Sequence, residues 1–482
     1  GIDNIIQDFR KNGYPDGALP PVVSVGPENH PPIDGIARDT VHHERRPCFL
    51  FPPTHDTMGE NTYPFNIYAI EFPKDFLWGA ATAAHQVEGD NHNDWSEWER
   101  ANADRLARES EQTFSWNPHW NTFRSEATNP DNYISGAACE HYSRYGSDFD
   151  LAASLGHNAH RFSIEWSRIE PREGEFDEAA IEHYRQVILA LRARGMEPFV
   201  TLWHWTLPLW LTKKGGILAP GFPEYFERYT ETIAQALGMD VRFWITLNEP
   251  DVHTAHAYLT GTWPPQKRGL ISFFRAQSAL VRTHRLAYHA LKNRFPGSQI
   301  GIAKHNIWFE AAGNTLWNRL LKWSADTVWN RFFLNRIRKT QDFIGLNHYN
   351  HHRIAGWFRK NENIRQTDFG WEYSPESLYH AVTELIPYQK PIYILENGIA
   401  DASDTLRQQF IPTALAALHR AIAAGADVRG YFYWSLLDNF EWDKGYWLRF
   451  GLIHVDYATQ TRTIRPSARA YAEICRTNKL EI

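Results

Sequence analysis

Phe243-Trp244-Ile245-Thr246-Leu247-Asn248-Glu249-Pro250 is a short apolar run that stops in a carboxylate and a proline. A run of this length, rich in aromatic and β-branched residues and closed by proline, reads as a buried strand. The glutamate at its end has two meanings. Taken alone, Asn-Glu-Pro is more often a strand-ending turn whose glutamate caps the next helix. A second run shifts the balance, because Ile392-Tyr393-Ile394-Leu395 has the same buried-strand character and ends in Glu396-Asn397-Gly398. Glu396 has no evident structural duty there. Two strand-end glutamates, three strands apart in chain order, face one cavity if the strands close on themselves.

Working outward from these two runs, short apolar segments alternate with longer amphipathic ones from about residue 76 onward. The spacing predicts strands over 76–81, 159–164, 198–203, 241–247, 299–304, 343–347, 392–395 and 430–434, with good helices over 178–194, 223–237 and 411–424. Repeated βα units imply a parallel sheet, and eight of them close into a (β/α)8 TIM barrel with functional residues at the carboxyl ends of its strands. The first seventy residues differ. Pro20-Pro21, Pro31-Pro32 and Pro52-Pro53, with Gly26, Gly35 and Gly59, break any sustained periodicity. We expect an extended, irregular N-terminal arm over 1–70 and a single catalytic domain over 71–482. The first methionine is Met58. A natural start there, with 1–57 a leader or foreign segment, is one expectation; an extended course over the barrel surface is the other.

Composition excludes several classes. With 50 Lys and Arg against 56 Asp and Glu in 482 residues, the formal net charge of −6 offers no global attraction to phosphate backbones or anionic lipid. Neither nucleic acid nor membrane is an expected partner. Cys48, Cys139 and Cys475 lie far apart and form no zinc or disulfide pattern, which fits a reducing, cytoplasmic setting. No apolar run is long enough to cross a bilayer, and the first thirty residues lack a basic start followed by an apolar segment. The 20 Trp, 21 Tyr and 28 Phe can fill a large core, and they can also form platforms for the apolar faces of sugar rings. Both uses are expected.

Paired carboxylates on one face of a barrel are the equipment for cleaving a glycosidic bond. Five ordered motifs sharpen that reading. They are the run Phe76-Leu77-Trp78-Gly79-Ala80-Ala81 continuing through His85-Gln86-Val87-Glu88-Gly89; Arg161-Phe162-Ser163-Ile164-Glu165-Trp166; 246–250; 395–398; and Trp434-Ser435-Leu436-Leu437-Asp438-Asn439-Phe440-Glu441-Trp442. Through them the chain, from about Glu71 to its C-terminus, resembles glycoside hydrolase family 1, the retaining β-glucosidase and β-galactosidase family. The resemblance implies Glu249 as general acid/base and Glu396 as nucleophile, with carboxyl groups about 5–5.5 Å apart so that attack on the anomeric carbon is direct. Arg161 would keep Glu396 ionised. Gln86, His204, Trp205, Asn248, Glu441 and Trp442 match the family's grip on the non-reducing sugar, with Trp434 as stacking floor and Tyr349 against the nucleophile and ring oxygen. Taken singly, His204 is as well read as a satisfied core histidine and Trp434 as barrel packing. No cofactor or metal is implied.

The resemblance therefore implies an exo-acting hydrolase of terminal β-D-glucosides, extending to β-galactosides and β-fucosides, on small β-linked glycosides or oligosaccharides. Glu441 stands where phospho-β-glycosidases place a phosphate-binding serine and lysine cluster, and Glu249 is the residue that plant thioglucosidases lack. The alternatives are a transglycosylating β-glycosidase and a non-hydrolytic sugar-binding protein; an oligomer stays open. Two departures stand beside the assigned contacts: Asn347-His348-Tyr349 replaces Asn-Tyr-Tyr, and Thr206 replaces an aspartate. The stretch 305–342 is shorter than the family leads one to expect and carries Trp308, Phe309, Trp317, Trp323, Trp329, Phe332 and Phe333. These read as a helix-packing stripe, or as an apolar opening for a hydrophobic aglycone, a flat ligand or a partner subunit.

Overall fold

The computed structural model describes residues 69–313, 315–356, 358–359 and 361–481. The expected arm thus lies outside the described residues as far as 68. Its last two positions belong to the folded domain, because Ala69–Glu71 pairs antiparallel with Lys479–Glu481 and brings the two ends of the domain together.

Eight parallel strands close into a barrel in chain order: β1 (Leu77–Ala81), β2 (Ala159–Ser163), β3 (Glu197–Thr201), β4 (Phe243–Asn248), β5 (Gln299–His305), β6 (Ile344–Asn347), β7 (Ile392–Asn397) and β8 (Val428–Trp434). Each predicted strand is present, with no end displaced by more than two residues. Helices Glu178–Ala193 and Phe222–Leu237 fall where the periodicity puts them. The helix expected over 411–424 begins earlier, at Arg407. There the Asp401 carboxylate accepts the backbone N–H groups of Leu406 and Arg407 at 2.8 and 2.9 Å, which starts the helix ahead of Pro412.

The barrel interior has two storeys. Near the amino ends of the strands, Phe199, Phe243, Phe343, Tyr393 and Phe432 fill the lumen with Leu395 and Ile245, and the Phe199 and Phe243 rings stack 4.2 Å apart. These rings are buried, and the polar side chains of Arg161, Asn248, Glu249, Asn347 and Glu396 gather towards the carboxyl ends. Pairing is irregular at the two decisive places. The β4–β5 register shifts between Ile245 and Asn248, and the β6–β7 register shifts between Ile394 and Glu396. An irregularity of this kind re-aims the side chain that follows it. In both strands the re-aimed residue is next to, or is, a candidate glutamate. Gly398 completes the packing, because a Cβ there would lie 2.1 Å from the Trp434 carbonyl oxygen at the end of β8.

Long connections sit at the carboxyl end. The β1–β2 crossover carries helix Asp94–Phe114, which starts in a capping box: the Asn93 side chain accepts from the Ser96 N–H at 2.9 Å, and the Ser96 hydroxyl accepts from the Asn93 N–H at 3.0 Å. After β5 and β6 the chain forms a small sheet of Trp308–Ala311, His351–Ala355 and Phe358–Arg359, against which helix Leu316–Asp326 packs. The aromatics of 305–342 divide. Phe309, Trp329 and Phe333 are buried, Trp308 stacks on His380 and His351, and Trp317 and Trp323 stay exposed on that helix.

Candidate active site

Glu396 sits near the end of β7, almost fully buried. Its Oε1 accepts from Arg161 Nη1 at 2.5 Å and its Oε2 from the Tyr349 hydroxyl at 2.8 Å. A guanidinium buried as deeply as that of Arg161 needs polar partners on every side. It finds them on three other strands. Nε donates to the Thr201 hydroxyl at 3.1 Å, Nη2 to Asn248 Oδ1 at 2.7 Å, and Nη1 also reaches the Leu395 carbonyl at 3.4 Å. The ends of β2, β3, β4 and β7 are thereby tied around one cation. The structural salt bridge and the site role are the same interaction.

Glu249 follows β4 with φ 40°, in the left-handed region, and its N–H donates to the Ala303 carbonyl of β5 at 2.8 Å. Its Oε1 accepts from Asn347 Nδ2 at 2.9 Å. No cation among the described residues pairs with it; the nearby Lys304 pairs with Asp251 at 2.8 Å instead. Burial and the Glu396 charge hold the Glu249 carboxyl well above the usual range, with Asn347 opposing weakly. Burial also raises Glu396, but there Arg161 and Tyr349 oppose it directly. The contacts with Arg161 and Tyr349 thus favour the charged form at Glu396 over the charged form at Glu249.

The remaining expected residues gather around this pair. Gln86 Nε2 donates to Asn439 Oδ1 at 2.9 Å, to the Phe440 carbonyl at 2.7 Å and to Glu441 Oε2 at 3.3 Å. Burial and the neighbouring Glu396 and Asp443 charges push the Glu441 carboxyl up to about 8. His204 Nε2 lies 3.0 Å from Asn248 Nδ2, and burial holds the ring neutral by lowering its pKa far below the ordinary value. With Nε2 accepting from that amide, Nδ1 carries the proton and has no protein partner among the described residues. Gln86 Oε1 and Asn347 Oδ1 are likewise unpartnered there. One donor and two acceptors are thus left for a polyhydroxylated guest. Trp442 packs on Trp205 with centroids 4.6 Å apart, and the His204 ring lies nearly parallel to both Trp442 and Trp434 at 6.0 and 6.1 Å. The Trp205 indole N–H is committed to the Asn248 carbonyl at 3.0 Å, so Trp205 offers a ring face and no free donor.

The comparisons with known proteins meet this geometry from outside. The model of glycosyl hydrolase family 1 matches residues 68–335 and 333–480. The chain belongs to glycosyl hydrolase family 1. It is a glycoside hydrolase with the family's (β/α)8 barrel. Among curated relatives, beta-glucosidase A of Thermotoga maritima is 31% identical over 460 residues, covering 85% of this chain and 99% of its own. Among solved structures, the beta-glycosidase from Pyrococcus horikoshii is 36% identical with a TM-score of 0.76, covering 86% of this chain and 97% of that one. A Thermotoga maritima beta-glucosidase in complex with glucoimidazole is 28% identical with a TM-score of 0.73, covering 85% of this chain and 99% of that one.

Both departures from the family pattern have structural occupations. Thr206 donates to the buried Glu165 carboxylate at 2.9 Å. His348, held neutral by burial with its pKa lowered to about 4, contacts the Asn306 carbonyl at 2.9 Å and the Ser377 hydroxyl at 2.7 Å. Sequence reasoning passed over Asn347, whose amide joins Asn248 and Glu249 and also reaches Glu396. Its position at the end of a predicted strand, beside Tyr349, was the available signal. Among the described residues no group of three or more His, Cys, Asp or Glu side chains could hold a metal ion.

Proposed function

We propose that the chain is a retaining exo-β-glycosidase acting on terminal non-reducing β-D-glucosides, and on β-galactosides and β-fucosides, with Glu396 as nucleophile and Glu249 as acid/base. The observation that carries the reading is the unequal setting of two buried strand-end glutamates, one held ionised by Arg161 and Tyr349, the other left to be protonated. Glu396 attacks the anomeric carbon while the Glu249 proton passes to the leaving oxygen. A glycosyl ester on Glu396 has lost the charge that raised Glu249, so the Glu249 pKa falls and it can take a proton from the incoming water. Gln86 and Glu441 suit adjacent hydroxyls, the Nδ1–H of His204 a third, and Trp434 the apolar ring face. The relatives named as beta-glucosidases support glucosides as the substrate class. The two described cysteines, Cys139 and Cys475, are buried free thiols, which supports a reducing compartment such as the cytoplasm.

Glu396→Gly tests the assignment. Hydrolysis of nitrophenyl β-glucoside should fall by about 10⁴-fold or more, and azide should restore turnover with a glycosyl azide of inverted anomeric configuration as product. Loss without rescue would count against Glu396 as nucleophile.

A further inference from the structure

From Leu316 to Ile337 the chain is helical without a break, through Leu316–Asp326, Thr327–Arg331 and Phe332–Ile337. Its inner side is anchored, with Phe309, Ala325 and Trp329 in one buried cluster and Phe333, Leu334 and Ile337 in the main core. The outer side is not what an anchored helix usually shows. Leu316 is 81% exposed, Trp317 47%, Leu320 50% and Trp323 59%. Leu316, Leu320 and Trp323 are spaced to share one face of the first three turns. The charge on this stretch also departs from the rest of the chain. Residues 315–339 contain Arg319, Lys322, Arg331, Arg336, Arg338 and Lys339 against a single acidic residue, Asp326, in a chain whose net charge is −6. Arg331 pairs with Asp326 at 2.6 Å and Lys322 with Glu384 at 3.5 Å. Arg319, Arg336, Arg338 and Lys339 are exposed and have no carboxylate partner among the described residues.

We infer that this helix is a docking surface for an anionic lipid bilayer, with Leu316, Leu320 and Trp323 entering the headgroup boundary and the basic side chains lying against lipid phosphates and carboxylates. An amphipathic helix with Trp and Leu on one side and Lys and Arg around them is the composition that lies in a membrane interface, and it requires no membrane-spanning segment. Indeed no helix among the described residues is long and apolar enough to span. A second copy is disfavoured as the occupant, because a two-fold contact would set this cationic surface against itself. An exposed ridge on a rigid barrel suits a deformable lipid phase, whereas a protein partner would need a matching groove. The helix starts after β5, at the end of the barrel that holds the candidate active site, and runs back along the barrel side towards the start of β6, where Arg338 donates to the Pro387 carbonyl ahead of β7. The sequence-based expectation of no membrane partner rested on charge summed over the whole chain and on the lack of a bilayer-crossing run; the inference concerns attachment at the interface by a local cationic stretch, which neither of those grounds addresses.

Sedimentation of the full chain with phosphatidylcholine vesicles, with and without phosphatidylserine, tests this. The chain should pellet with the serine-containing vesicles, weakly with pure phosphatidylcholine, and less as salt is added. Leu316→Ser/Leu320→Ser/Trp323→Ser should lower the partition coefficient by about tenfold or more. Arg319→Gln/Arg338→Gln should lower it by about fivefold per charge removed from the lipid surface. All five positions are exposed, so both variants should keep the parent's melting temperature and its hydrolysis of a soluble nitrophenyl glucoside. Absence of pelleting, or undiminished pelleting of the triple Ser variant, overturns the inference. So does a dimer that the triple variant dissolves while vesicles are ignored, or retention on immobilised polyglutamate in place of vesicles, which would assign the surface to a second copy or an acidic protein. Vesicle binding by a chain that cleaves no glycoside would leave this inference standing and remove the hydrolase reading above.

Discussion

The two storeys of the barrel use the same eight strands for opposite purposes. At the amino ends, stacked rings such as Phe199 on Phe243 exclude water and carry no chemistry. At the carboxyl ends, a guanidinium, three carboxylates and several amides are buried together, where each must find a partner or shift its pKa. Stability and reactivity are thus separated along the strand axis, by the six residues from Phe243 at the start of β4 to Glu249 just past its end. A lesion below should cost folding free energy, and a lesion above should cost rate.

That contrast can be broken most severely at Glu249. Glu249→Ala should lower kcat/KM by about 10³-fold for alkyl glucosides, which need a proton on the leaving oxygen, and far less for dinitrophenyl glucosides, which do not. Equal losses on both would remove Glu249 as the acid. In the plug, Phe243→Ala should destabilise folding by about 3–5 kcal/mol, read by chemical denaturation, while KM for a nitrophenyl glucoside stays near the parent's. A large change in KM would mean that the storeys are coupled. Asn347→Ala should lower kcat by about tenfold to a hundredfold and move both limbs of the pH–rate profile upward, because its amide favours the ionised form of both glutamates. The smallest effect concerns stability. Glu249 binds its proton more tightly folded than unfolded, so its contribution is present at acidic pH and is lost as pH rises towards the raised folded pKa. Glu249→Gln should therefore melt above the parent by a margin that grows from acidic to alkaline pH.

The barrel was legible because each strand is a short apolar run, and burial on both faces leaves a parallel strand no other composition. Glu249 and Glu396 were legible because a carboxylate directly after such a run has few structural uses. Strand ends were less so: β7 runs on through Glu396 and Asn397, whose polarity mimics a turn but whose neighbours Arg161, Asn347 and Tyr431 satisfy them in the interior. Asn347 was missed for the same reason. Asparagine at a strand end signals a turn as readily as an amide aimed inward, and only the third dimension brings Glu249 to it. The aromatic stretch 305–342 was half legible, since periodicity told which rings could share a helix face and not which face would meet the barrel.

One backbone feature has a reach beyond the reaction itself. Trp205, Glu249 and Trp442 adopt φ values of 80°, 40° and 50°, a region that costs a side-chain-bearing residue about 1 kcal/mol or more. At Trp205 and Trp442 the buried indole packing outweighs that cost, since the two rings lie against each other in the main core. At Glu249 nothing comparable offsets it, because the side chain there is a buried carboxyl rather than a packing ring. Selection for heat resistance alone would then favour losing the acid carboxylate, so durability and turnover compete at that position, and only simultaneous selection on sugar cleavage would keep it filled.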